Sequence, residues 1–168
     1  MDTITLIEDL ANRGRPLQAV DKRNLQAYIE EVERLYIKPA LGNALYMSLS
    51  KRQDFDERHT TLLEGGEYTK GEHTLYFSGL YVVVAYYVYA QNVMCGDFQA
   101  TRYGMVVKDG DYSQRLSTKE RSEAYNNALE VAHAHLSDCL QYCKTVGLIK
   151  TGSTRVTGAG SVRIRKIG

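Results

Sequence analysis

From Thr74 to Gly96 the chain runs for 23 residues without a charge. Any fold of this protein must bury that stretch or place it in lipid. A membrane span needs ~20 predominantly apolar residues, so the length alone would serve. The stretch also contains Ser78, Gly79, Gln91, Asn92 and five Tyr, and it has no basic flank to set an orientation. It therefore reads as the centre of a protein core. Val82–Val84 and the tyrosines favour a strand on propensity. Length favours a helix, since strands average ~5–6 residues. Taking Leu75–Met94 as uninterrupted, we expect one central helix, buried nearly all round by its neighbours.

The remaining helices follow from spacing and caps. Leu25, Tyr28, Ile29, Val32, Leu35 and Tyr36 recur three and four apart, which predicts a helix from Asp21 to Lys38 with those residues inward and Asp21 as N-cap. Pro39 should end it and open a second helix carrying Leu41, Leu45 and Leu49. Ile4, Ile7 and Leu10 suggest a short leading helix, followed by a loop at Asn12–Pro16. Asp54 and Glu57 have capping-box spacing for a helix ending at Leu62–Leu63 and stopped by Gly65–Gly66. A turn-rich stretch follows at Glu67–Gly71. Thr101–Lys108 reads as extended, with turn chemistry at Lys108–Asp111. Ser117 and Glu120 form a capping box for a last long helix, Thr118–Thr145, with Gly147 as its C-terminal stop.

The fold class expected is therefore mainly α: a bundle of about four to six helices with an extended or β-hairpin C-terminal arm. The chain divides into a helical domain, 1–149, and a basic arm, 150–168. The arm holds five of the 21 basic residues and none of the 20 acids, leaving 16 bases against those acids in the domain. Val162-Arg163-Ile164-Arg165 alternates with period two, as a strand added to a partner would. That reading is preferred to two alternatives, an arm that tracks phosphates through its bases and a disordered end. Three Cys, an odd number, predict a reduced compartment rather than a disulfide framework. Met1–Leu10, with three acids and no base, does not read as a targeting peptide.

Few constellations ask for chemistry. His135, Cys139 and Cys143 share one helical face and are metal-ligand types, but no Cys-x-x-Cys turn accompanies them. They read as a packed face. Glu30, Glu31 and Glu33 read as a solvated face, and His59 and His73 as surface or capping residues. Gly147–Thr154 lacks the lysine that would meet a β- or γ-phosphate. No catalytic residue, cofactor or metal is expected.

Four stretches carry a resemblance: Ile37-Lys-Pro39-Ala-Leu41-Gly42 with Leu45-Tyr46; Leu62-Leu63-Glu64-Gly65-Gly66-Glu67-Tyr68; Phe77-Ser-Gly79-Leu80 with Ala85-Tyr86-Tyr87-Val-Tyr89-Ala90; and Thr101-Arg-Tyr-Gly104-Met-Val106-Val-Lys108. In this order they resemble the head-to-tail connector, or neck, proteins of tailed bacteriophages, of the type found in Bacteroidales gut phages and prophages. The resemblance implies a non-enzymatic structural protein of the virion neck, made in the host cytoplasm. It implies a homo-oligomeric ring, commonly twelvefold, joining the portal protein to adjacent tail or ring proteins, with double-stranded DNA passing through the lumen. No membrane partner is expected. Candidate subunit or portal contacts are Thr101, Arg102, Tyr103, Met105, Val106 and Lys108, together with Arg155, Val156, Val162, Arg163, Ile164, Arg165 and Lys166 of the arm. The alternative is a DNA-binding accessory protein acting through the arm's bases.

Overall fold

The computed structural model describes residues 3–15, 21–95, 98–101, 104–107 and 117–149. It is mainly α, as expected. A 3₁₀ turn at Ile7–Leu10 stands where the sequence suggested a leading helix. The helices are α1 (Lys22–Val32), α2 (Lys38–Leu41), α3 (Asn43–Lys51), α4 (Glu57–Glu64), α5 (Leu80–Cys95) and α6 (Thr118–Thr145). Two antiparallel hairpins complete the described fold, β1 (Gly66–Lys70) with β2 (His73–Phe77) and β3 (Phe98–Thr101) with β4 (Gly104–Val107). The C-terminal arm lies outside the described residues, as does the turn at Lys108–Asp111.

The chain does not stop at Pro39. Asp21 caps α1 as predicted, accepting from the Arg23 backbone N–H at 2.8 Å. Between α1 and α2 the helix widens into a π turn at Glu33–Ile37, where the Lys38 N–H reaches back five residues to the Glu33 carbonyl. Proline offers no N–H to the carbonyl four residues back and its ring crowds that carbonyl. A wider turn removes the conflict without ending the helix. The break falls instead at Gly42, whose φ of 81° suits glycine. The extra residue also rotates the buried face. Val32, Glu33, Ile37, Ala40 and Leu41 are buried, while Leu35, expected inward, is 52% exposed.

The uncharged run also divides. Its first residues, Thr74–Phe77, belong to β2, and the central helix begins only at Leu80. The divider is Ser78–Gly79. Gly79 has φ 84° and Gly65 has φ 87°, and the two backbones touch. A Cβ on either glycine would lie under 3.0 Å from the other's backbone. This contact closes the β1–β2 hairpin at its base, so the expected turn at Glu67–Gly71 is a strand followed by the hairpin tip. Beyond it, α5 is buried along most of its circumference, including Leu80, Val83, Val84, Tyr87, Val88 and Ala90. Its principal neighbours are α6 and α1.

Two caps complete the frame. The α6 boundaries and its Ser117–Glu120 box are as read from sequence, with Gly147 at φ 76° just beyond the end. For α4 the cap is Asp56, not Asp54. Its carboxylate accepts from the Arg58 and His59 backbone N–H groups at 3.0 and 3.2 Å.

Candidate functional site

Of the residues singled out for subunit contacts, three are described. Thr101 lies on β3 and Met105 and Val106 on β4, in a register that sets Thr101 opposite Gly104, Ala100 opposite Met105 and Gln99 opposite Val106. The sequence therefore located an extended segment correctly but missed its β3 partner strand. Arg102, Tyr103 and Lys108 lie outside the described residues. So do Arg155, Val156, Val162, Arg163, Ile164, Arg165 and Lys166.

The first hairpin is the surface that sequence reasoning overlooked. Tyr68, on its inner face, packs edge-on against Phe77 and Tyr142, with ring centroids 5.7 and 5.3 Å apart. Phe77 stacks on Tyr142 at 4.6 Å, and the Tyr142 hydroxyl donates to the Arg58 carbonyl. This aromatic stack ties the hairpin to α4 and α6. On the opposite face Glu67 pairs with Tyr76, and Tyr76 is 71% exposed. Among the described residues no third strand pairs with β1 or β2, which leaves two edges with a large aromatic side chain beside them. The signals that could have found this hairpin are glycines at 65, 66, 71 and 79, which bracket two five-residue strands.

The tyrosines of α5 are met by arginines from the loop before α1. The Arg13 guanidinium sits 5.0 Å from the Tyr81 ring centroid and also pairs with Glu64. Arg15 lies 5.3 Å from Tyr89 and 5.9 Å from Tyr86, and hydrogen-bonds Asn127 of α6. Charge–quadrupole contacts of this kind fix a loop onto an aromatic helix face.

His135, Cys139 and Cys143 share a face of α6, as the spacing implies, but their contacts differ. His135 Nδ1 lies 2.7 Å from the Ser78 hydroxyl, and its ring stacks on Tyr86. Cys139 and Cys143 are buried, and burial pushes both thiols up, Cys143 to about 12. Among the described residues no group of three metal-ligand side chains converges. Ser78 and His135 join the strand-to-helix turn to α6, a tie between residues 57 apart in sequence.

Glu33 corrects the reading of a wet carboxylate face. Its side chain is fully buried and accepts three hydrogen bonds, from the backbone N–H groups of Ile4 (2.9 Å) and Thr5 (2.8 Å) and from the Tyr46 hydroxyl (3.0 Å). The π turn aims Glu33 inward, and an N-terminal segment with no internal backbone partner supplies the donors. Burial pushes the carboxyl up, while these hydrogen bonds pull it down. Burial and the Glu33 carboxylate push the Tyr46 hydroxyl up, which keeps it protonated as a donor.

His59 is buried rather than exposed, and serves the α4 cap. Its Nδ1 lies 2.7 Å from the Asp56 carboxylate and 3.2 Å from the Asp56 backbone N. A proton on Nδ1 satisfies the shorter contact. The Arg58 guanidinium, followed by His59, holds the Asp56 carboxyl well below the usual carboxylate range. His73 is exposed, as read.

These elements define a small, mainly α-helical protein whose polar groups lock segments together and whose described hairpins offer pairing edges. Residues 37–146 match the family of unknown function DUF6712, and the chain belongs to that family. No curated protein and no solved structure matches the chain.

Proposed function

We propose that this protein is a structural component of a tailed-phage neck, a subunit of a ring that joins portal to tail around a channel for double-stranded DNA. The observation that carries the reading is the β1–β2 hairpin, pinned at its base, with no third strand beside it among the described residues and with an exposed Tyr76. Tyrosine is enriched at protein–protein interfaces, because its ring supplies apolar area and its hydroxyl a hydrogen bond. Leu6 and Leu35 add exposed apolar side chains at 56% and 52%. The four stretches that resemble connectors fall within residues 37–146, the region shared with the family. The acidic domain and basic arm suit charge-complementary contacts between neighbouring subunits.

Native mass spectrometry and electron microscopy of the protein mixed with its portal test the proposal. Ring-sized assemblies on the portal are expected, and a strict monomer that ignores the portal refutes it. Removing Thr151–Gly168 should leave the helical circular dichroism intact while impairing docking. The alternative, a DNA-binding accessory protein using Arg155, Arg163, Arg165 and Lys166, would instead bind free duplex with an affinity that falls steeply with salt.

A further inference from the structure

We infer that the groove between the α1–α2 helix and α3 is a binding site for a multiply charged oxyanion group, phosphate or carboxylate. The groove encloses about 620 Å³, and Arg34, Lys38 and Lys51 line it beside Ser50, Thr3 and Tyr46. That size lies within the ~300–1,000 Å³ usual for small-ligand sites.

Among the described residues its cations outnumber its acids three to one. Arg34, within the π turn, and Lys38, just after it, line the groove from the same helix and place two like charges at one opening. Among the described residues neither forms an ion pair, and neither does Lys51. Among the described residues Glu30 is the one acid that lines the groove, and its carboxylate accepts from Gln26 on its own helix at 3.2 Å.

The floor also holds a cation in place. The Lys38 ammonium lies 5.6 Å from the centroid of the buried Tyr46 ring, and Tyr46 is itself held by its bond to Glu33. An ammonium on an aromatic floor and an arginine fork, with Thr3 beside them, together meet the oxygens of a phosphate or a polycarboxylate, while the Ser50 and Tyr46 hydroxyls donate to the Met47 carbonyl and to Glu33. This inference is independent of the neck reading, since it uses neither the hairpins nor the arm.

Isothermal titration calorimetry of the full-length protein with sodium tripolyphosphate and, separately, with citrate provides the test. Binding of at least one probe in the range of about 0.1–1 mM is expected at low salt. Arg34→Gln and Lys38→Gln should each weaken that binding about tenfold or more, while Lys70→Gln, at the exposed hairpin tip, should leave it unchanged. The arm that binds identifies the source of the oxyanion as phosphate or carboxylate. Circular dichroism of each variant checks that it remains folded, and Lys51→Gln offers a second substitution on the other wall. No binding of either probe at about 5 mM, or equal binding by wild type and the folded Arg34 and Lys38 variants, overturns the inference.

Discussion

Replacing Glu33 with alanine removes the acceptor for two backbone N–H groups and one tyrosine hydroxyl, all buried around it. An orphaned buried donor costs ~1–3 kcal/mol, so the gross loss for three is roughly 3–9 kcal/mol. Two effects reduce it. The variant no longer holds a carboxylate in a site that disfavours its charge, as the raised carboxyl indicates. The segment carrying Ile4 and Thr5 can also peel away and bond to water. A net destabilisation of about 3 kcal/mol is expected, which in a chain of this size lowers the melting temperature by about 6–12 °C. Tyr46→Phe removes one of the three bonds and should cost about 1 kcal/mol. Because both changes break the same contact, the double variant should lose about 1 kcal/mol less than the sum. Thermal and urea unfolding of the four proteins measures this cycle. A Glu33→Ala variant melting within about 1 °C of wild type would refute the reasoning. So would strict additivity with Tyr46→Phe.

Four further outcomes follow. The folded-state Glu33 carboxyl is raised, so the native state binds the proton more tightly; its contribution is greatest below the unfolded value and is lost as pH rises through the folded one. The stability of wild type relative to Glu33→Gln should therefore improve on acidification. Asp56 has the opposite sign: its carboxyl is depressed, so its contribution is present above the unfolded value and is lost as pH falls through the folded one, and Asp56→Asn should flatten the acid limb of the stability profile. Gly79→Ala should unfold the hairpin base or the whole protein, at a cost of about 3 kcal/mol or more, because the new Cβ meets Gly65 and Leu63 backbone at a φ of 84°. Calorimetric melting checks it. Iodoacetamide should label the exposed Cys95 in the native protein and reach Cys139 and Cys143 only on unfolding, as mass spectrometry of the tryptic peptides will report.

What could be read from the sequence was local. Ser117 and Glu120 lie three residues apart and bond each other's backbone, so the start of α6 needed no tertiary information. Asp21 as a cap and Gly147 as a stop are of the same kind. The misses depend on distant partners or on competition between neighbouring residues. Glu33 resembles Glu30 and Glu31 until the π turn and an N-terminal segment nearly thirty residues away bring donors to it. Leu35 fits an α-helical stripe with Val32, and only the conflict at Pro39 moves it outward. The division of the uncharged run required weighing Ser78–Gly79 as a turn, and its reason is a contact with Gly65 across the hairpin. The segment 101–108 was legible as extended, and β4 lies within it. Nothing periodic marked Tyr76 as a side chain left outside, because its strand is apolar on both faces at that point.

The π turn also changes how substitutions accumulate in this helix. A single residue inserted into a regular α-helix turns everything downstream by about 100°, dragging buried side chains to the surface. Here that insertion has already been absorbed within Glu33–Ile37, with α1 and α2 both still seated. Loss of one residue there, coupled with loss of Pro39, is thus a permitted step, since it would restore regular pitch with the same two ends in place. A chain one residue shorter here is expected to keep both helices seated while losing the turn that aims Glu33 at Ile4 and Thr5.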